Sequence, residues 1–250
     1  MPGRVLVRRM LDEKNEAIYA RGDFTALSAA YDDHARLWQV DPDPLGEIMM
    51  HQLLGGSALY LSSRPHDENL AWTLNIKEPA MNLFATGSTV SRGVTGCFYA
   101  EDVQTAQTSR LYVDSRRSQG QDRRSVVEVE GLDVLQIFEQ YSRRSDQAMT
   151  RYFELDFNDY LMVASLPVGH HDWIEQLDRD QARKNYDKLR SLDEREFWFQ
   201  CGCSKEKVAH IVTAAWADDR ETLFSDRDSV DVTCPRCGRR WPITPKDFSG

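Results

Sequence analysis

No hydrophobic run in the chain approaches the roughly 20 residues that a helical membrane span needs. The opening stretch, Met1-Pro-Gly-Arg-Val-Leu-Val-Arg-Arg-Met-Leu11, is too short and too charged for a secretory leader. Asp12, Glu13 and Glu16 follow at once and speak against an organelle transit peptide. There is no surplus of positive charge either: 31 Lys and Arg face 40 Asp and Glu, for a net charge of -9. A chain of that balance is poorly made for duplex nucleic acid, whose phosphates must be met by Lys and Arg. A Walker-type glycine loop is absent, so no nucleotide hydrolysis through that motif is expected. The six histidines (His34, His51, His66, His170, His171 and His210) show no triad and no metal-ligand spacing, and an enzyme is not the expected class. What remains is the profile of a soluble cytoplasmic protein with 41% hydrophobic residues over 250 positions, ample for a core.

Cysteine is scarce in most of the chain and concentrated in one part of it. Cys97 stands alone, alternates with apolar neighbours, and reads as a buried core thiol. The other four form two tight pairs, Cys201-Gly-Cys203 and Cys234-Pro-Arg-Cys237, about thirty residues apart. An odd total with clustered pairs is unlike a secreted disulfide framework; in a reducing compartment it points to metal ligands. Each pair can bring two sulfurs to one ion, and four thiolates around Zn2+ make a closed tetrahedral site. Cys201, Cys203, Cys234 and Cys237 are therefore the expected ligands of one zinc ion. Three other readings compete. The zinc could be purely structural, as in most four-cysteine sites. Cys234 and Cys237 could be a thioredoxin-like dithiol, but Gly238-Arg-Arg-Trp-Pro242 blocks the long helix that such a site needs. Arg236, Arg239 and Arg240 beside Trp241 could grip a nucleic-acid backbone, but Asp218, Asp219, Glu221, Asp226, Asp228 and Asp231 cancel the local field.

The hydrophobic pattern predicts an α+β fold. Helical spacing marks 24–40, with Leu27, Ala30, Tyr31, Ala35, Leu37 and Trp38, and again 45–61, with Leu45, Ile48, Met49, Leu53 and Leu54, weakened by Gly55-Gly56. From Leu70 the period becomes two. Short runs at 70–76, 81–85, 94–99, 111–113 and 125–130, separated by turn residues, predict a mostly antiparallel sheet. A helix over 131–145 and two strands within 153–168 complete a core domain of residues 1–168. Residues 169–199 are polar and helix-competent, with a thin stripe of Trp173, Ile174, Leu177, Tyr186, Leu189 and Leu192 that must dock on something and docks marginally. Residues 200–250 form the small zinc-binding domain. There Ser204 is placed to cap a helix carrying Val208, Ile211, Val212 and Ala215, and the second cysteine pair sits in a tight turn between short strands. Trp72, Trp173, Trp198 and Trp241 are read as core or docking anchors rather than partner contacts.

The C-x-C pair followed by C-x-x-C resembles the C-terminal domain of the redox-regulated 33 kDa chaperonin family, a family of heat-shock holdases. Phe199-Gln-Cys-Gly-Cys-Ser-Lys-Glu-Lys-Val208 is similar to that family's entry into the domain, and Val232-Thr-Cys-Pro-Arg-Cys-Gly-Arg-Arg-Trp241 to its second half. Upstream, Ala20-Arg-Gly-Asp23, Glu78-Pro-Ala-Met-Asn-Leu83, Arg92-Gly-Val94 and Tyr141-Ser-Arg-Arg-Ser-Asp-Gln-Ala-Met-Thr150 resemble family signatures. Asp146 stands where the family has Glu, and Met149 where it has Pro. The resemblance implies a chaperone that holds unfolding proteins without ATP. It implies zinc bound in the reduced, inactive form, and Cys201–Cys203 and Cys234–Cys237 disulfides with zinc released in the oxidised, active form. It also implies client proteins as partners and a homodimer on oxidation.

Overall fold

The computed structural model describes every residue except 1, 41, 102, 104–106, 168–170, 217–219, 226 and 249–250. It opens with a hairpin that sequence periodicity did not single out, β1 (Val5–Asp12) and β2 (Ala17–Asp23). Two helices follow, α1 (Thr25–Trp38) and α2 (Pro44–Ser62). Pro44 opens α2, and the Asp43 carboxylate accepts from Gly46 N at 2.7 Å. Beyond its first turn α2 is buried on every side, from Met49 through Ser62. The expected one-sided face is therefore corrected: Ile48 is exposed in the first turn, and the rest of the helix is enclosed. Gly55 and Gly56 are what make that enclosure possible. A Cβ on Gly55 would sit 2.5 Å from the Tyr160 ring, and one on Gly56 2.6 Å from the Phe138 ring.

The expected strands appear as β3 (Glu68–Ile76), β4 (Met81–Ser88), β5 (Gly93–Tyr99), β6 (Arg110–Arg117) and β7 (Arg123–Glu128). Helix α3 (Val134–Tyr141) runs into a π-helical turn at Ser142–Asp146, and the pair β8 (Thr150–Asp156) and β9 (Asp159–Ser165) follows. The fold is α+β, as the pattern predicted. The boundary expected at 168 lies outside the described residues. Beyond it come α4 (His171–Glu175), α5 (Arg179–Tyr186) and β10 (Arg190–Phe199).

Strand β10 corrects the helical expectation for the second half of this segment. Its alternating charges satisfy a helix surface and a strand equally, and β1 decides the matter. Arg8 faces Glu194 and Arg9 faces Asp193 across the antiparallel register, with hydrogen bonds of 2.9 and 3.0 Å. Strand β10 also pairs in parallel with β5, at Trp198–Gly93 and Phe199–Val94. It thereby joins two half-sheets into one ten-stranded sheet of order β7-β6-β3-β4-β5-β10-β1-β2-β9-β8. One face carries the main core around α2, including Trp72, Phe138, Phe24 and Tyr31. On the opposite face of the β2-β9-β8 half, Ile174, Leu177, Ala182 and Tyr186 of α4 and α5 pack against Ala17, Tyr19, Phe153, Leu155, Leu161 and Val163. The thin stripe read from the sequence is this contact, with Trp173 and Leu189 at its margin and Leu192 left exposed on β10.

The chain ends in a small unit of α6 (Lys205–Ala215), α7 (Arg220–Phe224) and the hairpin β11 (Val230–Thr233) with β12 (Arg240–Ile243). Its core is Val208, Ala209, Val212, Phe224 and Ile243. Ile211, expected on the buried face of α6, is exposed, because this narrow core takes Ala209 in its stead. Of the acidic residues counted in this unit, Asp218, Asp219 and Asp226 lie outside the described residues.

Candidate metal centre

Three of the four clustered cysteines are set by the end of a regular element, and Cys237 lies in the turn between β11 and β12. Cys201 is the second residue after β10, and Cys203 precedes the α6 cap, where the Ser204 hydroxyl accepts from Lys207 N at 3.4 Å. Cys234 follows β11, and its turn is closed by Gly238 N to Cys234 O at 2.9 Å and Cys234 N to Arg239 O at 2.8 Å. Gly238 takes a φ of +73°, which favours glycine.

The four sulfurs lie within 4.8 Å of one another. Cys201 Sγ is 3.9 Å from Cys234 Sγ, and Cys203 Sγ is 3.7 Å from Cys237 Sγ. Four sulfurs at roughly 2.3 Å from one tetrahedral ion are about 3.8 Å apart, so the donor set fits such an ion and no disulfide is formed. The thiol chemistry points the same way. Hydrogen bonds from Cys201 and Cys237 hold the Cys234 thiol well below its ordinary range. Cys201 is pushed up to about 12, chiefly by its hydrogen bond with Cys234. Four thiolates this close repel one another, and a divalent ion is what lets all four be thiolates together.

Cys201 and Cys203 are half-buried, whereas Cys234 and Cys237 are buried against the core. The seat is built by residues that sequence reasoning did not assign to the site. His34 Nε2 donates to the Cys237 carbonyl at 2.7 Å, and the Tyr99 hydroxyl donates to the Pro235 carbonyl at 2.8 Å. Gly238 fits between Val40 and Cys97: a Cβ there would lie 2.7 Å from Val40 Cγ1 and 3.2 Å from Cys97 Sγ. The Arg239 guanidinium stacks on Trp38 at 5.3 Å and on Trp241 at 5.2 Å. Cys97 is fully buried, as expected, and burial pushes its thiol up. Trp72 lies in the main core, Trp173 beside the α4–α5 cluster and Trp241 beside the small C-terminal core, which matches their reading as anchors.

Two histidines make contacts that the sequence did not indicate. His34 touches the cysteine turn. His51, read as having no ligand spacing, has Glu47 one helical turn before it and its Nε2 2.7 Å from Asp32 Oδ1. The i, i+4 pair Glu47 and His51 was the available signal. His170 lies outside the described residues.

The sequence pattern of the family described as "Hsp33 protein" matches residues 159–244, from β9 through β12. A "33 kDa chaperonin" of Ectopseudomonas mendocina is 22% identical over 92% of this chain and 90% of its own length. Over residues 159–244, which include all four clustered cysteines, the chain is similar to the Hsp33 family. A "33 kDa chaperonin" of Chromobacterium violaceum is also 22% identical, over 55% of this chain; there the match spans about half the relative's length, 54%. The crystal structure of the 33 kDa chaperonin, or heat shock protein 33 homolog, of Thermotoga maritima has the same fold. It gives a TM-score of 0.71 at 12% identity, over 99% of this chain and 97% of that one.

Proposed function

We propose that this chain acts as an Hsp33-type protein, a redox-regulated, ATP-independent chaperone that holds unfolding proteins after its four-cysteine centre is oxidised. The observation that carries the reading is the position of the centre. Cys201 is joined through β10 to α4 and α5, which cover an apolar sheet face through a small cluster. In this reading the chain divides into a core to residue 168, a metastable linker over 169–199 and a zinc-binding switch over 200–250, and it works in the cytoplasm. No helix among the described residues is long and apolar enough to cross a membrane.

Cys201, Cys203, Cys234 and Cys237 would hold one Zn2+, whose charge supplies the stabilisation of four thiolates. Oxidation by a peroxide takes two electrons from each sulfur pair. One S–S bond forms per pair, the O–O bond breaks, and two protons are taken up to give two waters. With Cys201–Cys203 and Cys234–Cys237 disulfides the donor set is gone, and so is the binding energy of roughly 10–16 kcal/mol that folds a small four-cysteine module. The turn carrying Pro235, Cys237 and Gly238 then leaves its seat on Tyr99, His34 and Val40. The linker, held by few buried side chains, lifts from Tyr19, Phe153 and Val163 and bares a face that other unfolding chains can meet. A homodimer of the oxidised form belongs to the same reading.

Zinc release, followed with a colorimetric chelator during mild heating with peroxide, tests this alongside suppression of client aggregation. One zinc released per chain together with gained protection, reversed by reductant and zinc, is the expected result. Disulfide mapping should return the two near pairs rather than Cys201–Cys234 and Cys203–Cys237. The second reading is a constitutive binding protein with a structural zinc ribbon. It is favoured by the burial of Cys234 and Cys237, and zinc that stays bound under peroxide would establish it. Nucleic acid as its partner is disfavoured, because Arg239 is already stacked on Trp38 and Trp241.

A further inference from the structure

Away from the cysteines, one other group of side chains among the described residues has the composition and convergence of a metal site. Asp32 on α1 and Glu47 and His51 on α2 bring two carboxylate oxygens and one imidazole nitrogen within 4.8 Å of one another. We propose that Asp32, Glu47 and His51 form a second divalent-cation site, separate from the four-cysteine centre, that ties α1 to α2.

Geometry is the first argument. Ligands at roughly 2.0–2.2 Å from a first-row cation stand about 3 Å apart when adjacent in its coordination sphere. His51 Nε2 and Asp32 Oδ1 are already 2.7 Å apart, so a small widening admits the ion between them. Glu47 and His51 are one turn apart on α2 and project from the same side of it, which is how a helix offers two ligands to one ion. Glu47 is exposed, so its side chain can turn toward the ion without moving backbone.

Preorganisation is the second argument. His51 is only 5% exposed, and its ring meets the Tyr31 ring edge-on at 6.3 Å, which fixes the direction of Nε2. The hydrogen now shared between His51 and Asp32 occupies the place of the cation. To ligate through Nε2 the imidazole takes the neutral tautomer with its proton on Nδ1; with the two carboxylates the donor set then carries a charge of -2, which matches a divalent ion. One nitrogen with two oxygens, and surface access on the Glu47 side for water, suits zinc, manganese or cobalt. It contrasts with the soft all-sulfur donor set of the other centre.

The test uses the reduced full-length chain with zinc already in its cysteine centre, titrated with Co2+. The expected result is one added equivalent of cobalt. It should give weak visible ligand-field absorption of a nitrogen–oxygen site, with no near-ultraviolet sulfur-to-cobalt charge transfer and no zinc displaced. Glu47→Gln should weaken this binding at least tenfold, and His51→Gln should abolish it. Glu47 is exposed, so its variant remains informative if the buried His51 variant folds poorly. No added equivalent below millimolar cobalt, absorption of thiolate character only, or unchanged affinity in Glu47→Gln would each overturn the proposal. None of those results bears on peroxide-driven zinc release, so the two readings fail separately.

Discussion

Replacing Ile174 with Ala tests whether the linker is what covers the sheet face. Ile174 is fully buried, sits in the five-residue helix α4, and lies far in sequence from every cysteine. Its side chain packs in the cluster made by Tyr19, Phe153, Leu161 and Val163 on the sheet and by Leu177, Ala182 and Tyr186 on the linker. Truncating a buried isoleucine to Ala costs about 2–5 kcal/mol. At 1.4 kcal/mol per factor of ten, that multiplies the lifted population by roughly 30 to several thousand. Helices of five and eight residues have no stability of their own to oppose this. The polar contacts that remain are mostly at the surface: the Asp178 capping box closes α5 locally, Arg151 donates to the Glu175 carbonyl at 2.9 Å, and Arg143 pairs with the Glu175 carboxylate at 3.5 Å. The variant should keep its zinc, exchange the backbone amides of α4 and α5 much faster than the parent, and suppress client aggregation without oxidant. Unchanged exchange in α4 and α5 would refute the claim that this cluster holds the linker. Faster exchange with no gain in protection would refute the claim that the covered face is the client surface.

Three further substitutions follow from the structure. Cys203→Ser removes one of four converging sulfurs, so zinc analysis should find the site empty and hydrogen exchange should find α6, β11 and β12 unprotected; a full zinc equivalent would show that the fourth sulfur is dispensable. Gly238→Ala puts a Cβ 2.7 Å from Val40 Cγ1 at a φ of +73°. It should lower stability by about 1–3 kcal/mol and hasten zinc release under peroxide, both measurable by thermal melts and chelator kinetics. Glu68 is fully buried and is met by Arg64 at 3.0 Å, Ser115 at 2.5 Å and Arg117 at 3.3 Å. Burial pushes its carboxyl up, but the hydrogen bonds from Arg64 and Ser115 and the charges of Arg64 and Arg117 outweigh that and hold it below the usual range. Its folded value is lowered, so its contribution is complete above the unfolded value of about 4.3 and is lost as pH falls through the folded one. Denaturant midpoints in that acid window should fall more steeply for the parent than for Glu68→Gln. That variant should itself cost about 3–5 kcal/mol at neutral pH by leaving two guanidinium groups without their carboxylate. Parallel pH profiles would remove Glu68 from the explanation.

The cysteine centre was legible because its chemistry is local. Two short pairs and a glycine turn state the donor set before any fold is known. The sheet was legible where alternation is clean, as in Leu70, Trp72, Leu74 and Ile76, which all point into the core. It failed where both faces are solvated or the partner is distant. Residues 190–195 carry charges that suit either structure, and only the edge of β1, more than 180 residues upstream, settles them as a strand. The seat of the metal centre was hidden for a related reason. His34, Trp38 and Tyr99 belong to elements whose own periodicity accounts for them, and only the docked turn gives them a second role. Of the Asp32, Glu47 and His51 group, spacing along α2 offered only the Glu47 and His51 pair; Asp32 joins it through the packing of α1 on α2.

Strand β10 also determines how far a signal from the cysteines can travel. Its last residues are fastened deeply. Phe197 and Phe199 are buried, the Phe199 ring meets Tyr31 at 6.2 Å and His34 at 5.3 Å, and Gln200 N donates to Val94 O at 3.0 Å. Its first residues are not. Arg190 through Glu194 are exposed, and what supplements their backbone pairing to β1 is a row of exposed ion pairs, Arg8 to Glu194 and Arg190 to Glu13 among them. Such pairs contribute about 0–1 kcal/mol each and are screened by salt. Loss of the metal should therefore not strip the whole strand from the sheet. The zinc module should leave from one side and α4 and α5 from the other, with 190–195 loosened and 197–199 retained as a fixed post between the half-sheets. Hydrogen exchange on the oxidised, zinc-free chain reads this residue by residue. Amides of 190–195 should exchange quickly, faster still at high salt, while those of Phe197 and Phe199 stay slow. Uniform loss of protection from Arg190 to Phe199 would mean that the buried aromatics do not anchor the strand, and that the ten-stranded sheet itself comes apart when the switch opens.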